Sequence, residues 1–234
     1  MKHYKRLSIY LFTILFGLAI FTFKTSSVKA DDTVKLYLNH NTYVYNNKGK
    51  RVYGKGSYIK KNTIITAPGN LKKTNAIKRY YVMKIVNLPP ENSSNRQIIL
   101  YWLPYKIIKG QEYYKINKNK YIKCINVKAI NTEQNELITN QATVVVQDPK
   151  KINQSHIYAL KEGPNDRAIN AFTLPKYKKL VVDNNVGFSN TYAETYHIKG
   201  TKYYIYAGDI VKRPRHQVLT HPIKTQIDGK TILY

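Results

Sequence analysis

The stretch "IIKGQEYYKINKNKYIK", residues 107–123, holds runs rich in Tyr and Ile that are separated by short polar turns. Runs of this composition between turn residues predict β-strands. The stretch "HIKGTKYYIYAGDIVKR", residues 197–213, follows the same pattern at a constant offset of 90 residues. The residues that coincide in this register are Ile108, Lys109, Gly110, Tyr113 and Tyr114 with Ile198, Lys199, Gly200, Tyr203 and Tyr204. Shared residues in a shared register predict an internal repeat.

Short apolar runs between turn residues continue through most of the chain after residue 30. The segment "AINTEQNELITNQA", residues 129–142, differs because it contains no Lys or Arg, and we interpret it as a linker or a short helix between domains. The sequence therefore predicts a first repeat at 31–128 and a second repeat with additional C-terminal strands at 143–234.

The density of strands and the spacing of turns predict a mainly β fold. We expect two related small units of the β-barrel or sandwich type, each with room for one short helix, which would make the fold α+β. A hydrophobic fraction of 43% and 22 tyrosines indicate folded units and not a disordered chain. A hairpin is expected in the C-terminal tail around Asp228-Gly229, a dipeptide typical of tight turns.

The N-terminus has the pattern of an export signal. A basic start at 1–6 is followed by an apolar core at 7–23, and Val28 and Ala30 form a small-x-small cleavage site. We predict a signal peptide at 1–30; an uncleaved anchor is the alternative, because the apolar run approaches the length that spans a bilayer. No later segment of the sequence is apolar enough to cross a membrane, so the mature chain is expected outside the cell without a transmembrane segment.

The charge balance is strongly basic, with 39 Lys and Arg against 13 Asp and Glu and a formal net charge of +26. Such a surface is expected to bind polyanions, and salt should weaken the attraction. The single cysteine, Cys124, excludes an intrachain disulfide and is expected to be a buried apolar residue. A secreted domain without disulfides is more usual in Gram-positive bacteria than in animal secretions.

Catalytic and metal-binding motifs are missing from the sequence. The six histidines lack a paired metal-ligand spacing, and there is no Gly-rich phosphate loop. A pairing of Cys124 with a histidine stays open, although no recognisable catalytic motif surrounds this cysteine. We therefore expect a protein without enzyme activity, metal or cofactor.

The candidate binding residues are cations at turns and strand ends, with tyrosines between them. The predicted anionic-polymer ligands are Lys48, Lys50, Arg51, Lys60, Lys61, Lys118, Lys120, Lys123, Lys178, Lys179, Lys199, Lys202, Lys212 and Arg213. The predicted aromatic support is Tyr43, Tyr45, Tyr113, Tyr114, Tyr203 and Tyr204. A single basic hairpin tip, such as "NNKGKR" at 46–51, is also compatible with a merely solvated turn, and it is the repetition of such tips that indicates a binding surface.

Basic patches with interleaved aromatics suit nucleic acids and wall polymers alike. Export favours wall polymers, since teichoic and lipoteichoic acids are the abundant polyanions outside a Gram-positive cell, and no specific nucleic acid is expected. We therefore predict non-covalent binding of anionic wall polymer. The alternative is a secreted basic adhesion or structural protein that binds host polyanions such as glycosaminoglycans.

Three motifs of the first repeat resemble the SLAP domain, the C-terminal cell-wall-anchoring repeat of lactobacillus surface-layer proteins. They are "LNHNTYVYNNKGKR", "YIKKNTIIT" and "GQEYYKINKNKYIKCIN". The resemblance covers most of 34–127 and, more weakly, 143–217, where "YAGDIVKR" stands in place of "NKNKYIK". It implies paired basic repeats at the cell surface that attach non-covalently to wall polymers, with other surface-layer or surface proteins as further partners.

Overall fold

The computed structural model describes residues 32–87, 96–190, 194–219, 224–227 and 230–233. The predicted signal peptide and the turn at Asp228-Gly229 lie outside these residues. The prediction of a mainly β fold is confirmed, because β-strands are the dominant element and they form several separate sheets. Within the described residues no sheet closes into a barrel.

We call the described residues up to 141 the first half and those from 142 onward the second half. The strands of the first half are β1 (Thr33–Leu38), β2 (Thr42–Tyr43), β3 (Tyr58–Ile59), β4 (Ile64–Pro68), β5 (Lys72–Thr74), β6 (Tyr80–Asn87), β7 (Arg96–Trp102), β8 (Lys106–Ile108), β9 (Gln111–Asn117), β10 (Lys120–Lys123), β11 (Val127–Ile130) and β12 (Leu137–Thr139). The strands of the second half are β13 (Ala142–Val146), β14 (Ile157–Gly163), β15 (Arg167–Leu174), β16 (Lys179–Val186), β17 (Thr195–Ile198), β18 (Tyr204–Tyr206), β19 (Ile210–Lys212), β20 (Gln217–Val218), β21 (Lys224–Ile227) and β22 (Lys230–Leu233). Strands β21 and β22 pair antiparallel, in agreement with the hairpin predicted for the C-terminal tail.

Helical structure is limited, in the part of the chain that the structure describes, to short 3₁₀ turns. They are Cys124–Asn126, Pro149–Ile152, Pro164–Asp166 and Ala207–Asp209. The expectation of a helix or linker at 129–142 is wrong. Asn131 adopts a left-handed backbone (φ 68°) that turns the chain after β11, and β12 is then buried in a sheet beside β6.

The two halves build the same three-stranded arrangement. β1 pairs antiparallel with β4 and β11, and β13 pairs antiparallel with β16 and β19. Leu38 stands opposite Val127 in the first half, and Val146 stands opposite Ile210 in the second. Both pairings follow a register shift of one strand against the other. The internal repeat is therefore real at the level of strand pairing.

The hairpins that precede β11 and β19 give the register of this repeat. Tyr114 pairs with Ile122 between β9 and β10, and Tyr196 pairs with Ile205 between β17 and β18. A 3₁₀ turn follows each hairpin and leads into β11 or β19. "EYYKINKNKYIKCINVKAI" at 112–130 is thus equivalent to "ETYHIKGTKYYIYAGDIVKR" at 194–213. The offset of 90 is wrong, because the shared Ile-Lys-Gly triplet belongs to non-equivalent turns.

Each half has its own apolar core. The first-half core includes Leu36, Tyr114 and Ile130, all fully buried. The second-half core includes Val182 and Ile205, which are also fully buried. Alternating inward side chains along the strands supply both clusters, as expected for sheets with one face covered.

The halves are joined where the chain returns from the second to the first. β20 pairs in parallel with β12, which places Val218 opposite Thr139. Tyr81 donates a hydrogen bond to the carbonyl of Leu219 (2.8 Å), and both residues are buried together with Ile138. Residues Thr33–Tyr234 accordingly form one compact unit.

Candidate polyanion-binding site

A pocket of about 450 Å³ lies where the two halves meet, and we call it the junction pocket. Five cationic side chains line it. Arg79 is paired with Glu112, and the four cations without an ion pair among the described residues are Lys123 of the first half and Lys212, Arg213 and Arg215 of the second. Lys123 ends β10 and Lys212 ends β19, while the segment that follows β19 carries the two arginines back towards the first half. The pairing of β20 with β12 therefore brings cations from both halves to one concave surface.

Arg215 is held in place by a buried amide. Its Nη1 donates to Oδ1 of Asn126 (2.7 Å), and Nδ2 of Asn126 donates to the hydroxyl of Thr42 (2.9 Å). A guanidinium has five N–H donors. Because Arg215 is itself exposed, donors that do not face Asn126 are available to a ligand.

A third arginine at the pocket has a structural role. Arg79 forms an ion pair with Glu112 (3.6 Å) and also donates to Thr139 and to the carbonyl of Gln141. These bonds tie the loop between β12 and β13 to the start of β6. Arg79 thus adds little net charge to the pocket.

Two histidines near the pocket are held towards the neutral form. Burial lowers the pKa of His216 to about 4, and its ring meets Tyr80 edge-on at 5.6 Å between centroids. Burial lowers the pKa of His40 as well, and the positive charges of Arg215 and Lys61 lower it further. Lys61 therefore belongs to the same positive field as the cations that line the pocket.

Tyr45 supplies an aromatic wall to the junction pocket. Its ring packs edge-on against Tyr113, with 5.2 Å between centroids, and the ammonium of Lys123 lies 5.7 Å from its centroid. The predicted combination of cation and tyrosine is thus present at this position.

The hairpin tip at 46–51 forms a second basic patch. Oδ1 of Asn46 accepts hydrogen bonds from the backbone N–H groups of Lys48 and Lys50 (3.0 Å each), which fixes the turn. The guanidinium of Arg51 lies 3.9 Å from the centroid of the Tyr43 ring. Tyr43 in turn contacts Tyr58 with 5.1 Å between centroids. The tip therefore presents a stacked cation–aromatic group to solvent.

The other predicted cations are exposed and dispersed over turns and strand ends. They are Lys60 in the β3–β4 turn, Lys118 and Lys120 at the β9–β10 turn, Lys178 and Lys179 at the start of β16, and Lys199 and Lys202 at the β17–β18 turn. Lys199 donates a hydrogen bond to the side chain of Gln141. In the described part of the chain, the ion pairs involve none of the fourteen predicted cations.

The tyrosines predicted as aromatic support fall into three groups. Tyr43 and Tyr45 reach the surface, as described above. Tyr113 and Tyr114 are buried, so their ring faces pack in the protein and are not available to a polymer. Tyr203 and Tyr204 are half-buried and pack edge-on against Phe172 and Phe188. The Tyr-Tyr pair at 113–114 belongs to the inside of the β9 hairpin, and its prediction as a surface feature is wrong.

The predicted ligands do not include three residues that shape the junction pocket: Arg79, Asn126 and Arg215. Arg215 had a signal, because it continues the basic run that starts at Lys212. Asn126 and Arg79 had no such signal, because their roles depend on partners that are distant along the chain. Asn126 contacts Arg215, 89 residues away, and Arg79 contacts Thr139 and Asn140, 60 or more residues away.

A metal site and a membrane-spanning helix are two further features that bear on function. Over the residues described, no three of His, Cys, Asp and Glu side chains lie together in a way that could hold a metal ion. The same residues contain no helix with the length and apolar character that crossing a bilayer requires.

Comparison with known proteins gives a match within the first 125 residues. The family model of the surface layer protein A domain matches residues 25–87 and 90–125. No curated protein matches the chain. The match confirms the resemblance carried by the tip at 46–51 and the β9–β10 hairpin, and the second half repeats the strand pairing of the matched region. Over these residues the chain is similar to the surface layer protein A domain, and this similarity indicates a surface-associated protein.

Proposed function

We propose that the protein attaches non-covalently to anionic cell-wall polymers of the teichoic or lipoteichoic acid type, outside a Gram-positive cell. The observation that carries the proposal is the junction pocket, which gathers Lys123, Lys212, Arg213 and Arg215 from two halves of the chain. Four cations around one concave surface suit a chain of phosphates, because each phosphate along the polymer can meet a different cation.

The proposed role is binding alone, without catalysis, metal or cofactor. Exposed cation–phosphate contacts are individually weak, so affinity should come from their number and from the release of counterions. The tip at 46–51 and the exposed lysines of both halves would extend the contact along a long polymer. Simultaneous contact at several places raises the affinity above that of any one patch.

The test compares two triple variants of equal charge in sedimentation with purified cell walls. Lys123→Gln/Lys212→Gln/Arg213→Gln removes junction cations that make no ion pair among the described residues. Lys178→Gln/Lys179→Gln/Lys202→Gln removes three cations that do not line the junction pocket. We expect the junction variant to lose much more affinity, and the slope of log affinity against log salt to fall by about 2 units for three lost phosphate contacts.

Walls stripped of teichoic acid serve as the control for the ligand. Loss of sedimentation on stripped walls supports the proposal. Equal affinity for stripped and unstripped walls would overturn it, and binding to sulphated polysaccharide that wall polymer does not compete away would favour the glycosaminoglycan alternative. Equal weakening by both triple variants would show that overall charge, and not the junction pocket, determines binding.

A further inference from the structure

The second half contains a structural counterpart of the junction pocket, with a volume of about 420 Å³. Equivalent strand pairings relate the two: Thr42 pairs with Ile59 as Ile157 pairs with Leu174. The backbone N–H of Asn39 donates to the carbonyl of Asn126, as that of Gln147 donates to the carbonyl of Asp209. Four lining positions therefore correspond, with Asn41, Tyr45, Lys123 and Asn126 in one pocket and His156, Leu160, Tyr206 and Asp209 in the other. We call the second one the Asp209 pocket.

The chemistry of the Asp209 pocket is opposite to that of its counterpart. Lys123 is replaced by Tyr206, and the buried amide of Asn126 is replaced by the buried carboxyl of Asp209. Its lining contains no Lys or Arg, although the chain has 39 of them. This pocket is suited to a cation, and its acid would repel phosphate.

The outer wall of the Asp209 pocket comes from a local insertion. The second half has extra residues around the 3₁₀ turn Pro149–Ile152, between the positions equivalent to Asn39 and Asn41. The residues after this turn, Asn153, Gln154 and Ser155, line the pocket with neutral polar groups. In the first half that side is formed by the segment of Arg215, which comes from the second half.

The residue that contacts Asn126 in the junction pocket indicates what kind of ligand the equivalent position in the Asp209 pocket can bind. In the junction pocket, the guanidinium of Arg215 donates to Asn126 at 2.7 Å. At the equivalent position, the Asp209 carboxylate has no hydrogen-bond or ion-pair partner among the described residues, and burial raises its pKa. A carboxylate holds a guanidinium more strongly than a neutral amide does, because the hydrogen bond is charge-assisted. A cationic partner would also relieve the cost of burying the carboxylate.

We propose that the Asp209 pocket binds an arginine side chain from a basic, extended segment of another polypeptide, with Asp209 as the acceptor. The segment around Arg215, "VKRPRHQ" at 211–217, is the template for such a ligand, since it already occupies the counterpart in the first half. The protein would then have two separate surfaces: one for polyanions, and one that joins it to a basic protein segment. The inference does not rest on the proposed wall binding.

The probe is a fluorescent peptide with the sequence VKRPRHQ, titrated into the full chain by anisotropy. About 0.15 M salt limits long-range repulsion from the basic protein to a screening length of about 8 Å and leaves short contacts in place. We expect saturable one-to-one binding to the wild type. A peptide with both arginines replaced by glutamine should bind at least about tenfold more weakly, as a lost charge-assisted bond implies.

Two variants locate the site. Asp209→Asn is close in shape, has the side chain found at position 126, and should lose about tenfold in affinity. Tyr206→Lys restores the cation of the counterpart and should abolish binding, whereas Tyr53→Lys adds the same charge at a tyrosine that is 87% exposed and should leave binding unchanged. No saturable binding by the wild type, or unchanged affinity in both Asp209→Asn and Tyr206→Lys, would overturn the proposal. Both variants should sediment with cell walls as the wild type does, which separates this test from that of the junction pocket.

Discussion

Arg215 and Asn126 make a contact between residues 89 positions apart, at the base of the junction pocket. The amide of Asn126 is buried and hydrogen-bonded on both sides, donating to Thr42 and accepting from Arg215. A basic residue of the candidate site therefore also helps to hold the two halves together.

Replacement of this arginine should reduce stability as well as binding. In Arg215→Ala the Oδ1 atom of Asn126 loses its partner, so we expect a loss of about 1–3 kcal/mol in the free energy of unfolding. The measurement is urea denaturation, with the exposed neighbour change Arg213→Ala as control, for which a change below about 0.5 kcal/mol is expected. Equal effects of the two changes would contradict a structural role for the Arg215–Asn126 bond.

A second effect at the residue scale is the pH dependence that His216 introduces. The pKa of His216 is about 4 in the folded protein, below its ordinary value of 6.5. In the unfolded chain the imidazole has the ordinary value, so the unfolded state binds a proton more readily than the folded state does. Stability from the neutral ring is complete above pH 6.5 and is lost as the pH falls towards 4. By pH 5 the loss should reach about 2 kcal/mol.

The change His216→Phe keeps a ring against Tyr80 and removes the titration. We expect the free energy of unfolding of this variant to fall less between pH 7 and pH 5 than that of the wild type. Parallel curves for the two proteins would show that His216 does not titrate differently on folding.

At the scale of elements, the tip hairpin at 46–51 shows how a turn is specified both locally and by packing. Gly49 has a left-handed backbone with φ 74°, and a Cβ placed there would lie 3.0 Å from Cγ2 of Ile108. Ile108 belongs to β8, so the tip is fitted closely to a neighbouring hairpin.

The change Gly49→Ala should cost about 1–3 kcal/mol of unfolding free energy, from the left-handed backbone and the contact with Ile108 together. The matched change Gly56→Ala meets a similar φ of 79° with nothing within 4 Å, so it should cost only about 1–2 kcal/mol. The difference between the two, measured by thermal or urea unfolding, isolates the contact with β8. A larger loss at Gly56 would contradict this account.

At the scale of elements, the sequence predicts the strands and turns that depend on local pattern, but not the pairings between distant segments. Tyr- and Ile-rich runs between turn residues predicted the β-strands, and "NNKGKR" predicted the hairpin, because both depend on local pattern. The register of the repeat was missed, since an Ile-Lys-Gly triplet occurs by coincidence in turns that are not equivalent. The strand Leu137–Thr139 was missed because its partners, β6 and β20, are distant along the chain.

For the whole molecule, the junction pocket depends on a pairing that no single half contains. β20 comes from the second half and completes a sheet made of β12, β6, β7 and β5 from the first. The candidate site could therefore be predicted from the sequence as a class of residues, but not as a place. Lys123 and Lys212 are brought together only by the return of the chain.

Separated halves test this dependence. A fragment of residues 31–141 keeps its own core but lacks β20, Leu219 and Arg215, so Tyr81 and Asn126 lose hydrogen-bond partners and Ile138 loses packing. We expect its unfolding free energy to lie at least about 2 kcal/mol below that of the same region in the full chain. Addition of a fragment of residues 142–234 should recover part of this loss. Equal stability in the fragment and the full chain would show that the halves are energetically independent.

The pairing of β20 with β12 also affects the order in which the parts of the molecule fold. β1 can pair with β11 only after about 90 further residues have been made, and β12 can pair with β20 only after residue 217 has been made. Contacts so distant along the chain form late and slowly, because a long loop must close before they are made. During synthesis, a growing chain can therefore assemble the first core while the junction pocket does not yet exist. The pocket forms only after residues 217–218 have emerged, so a shorter chain carries many of the cations but not the concave surface that gathers them.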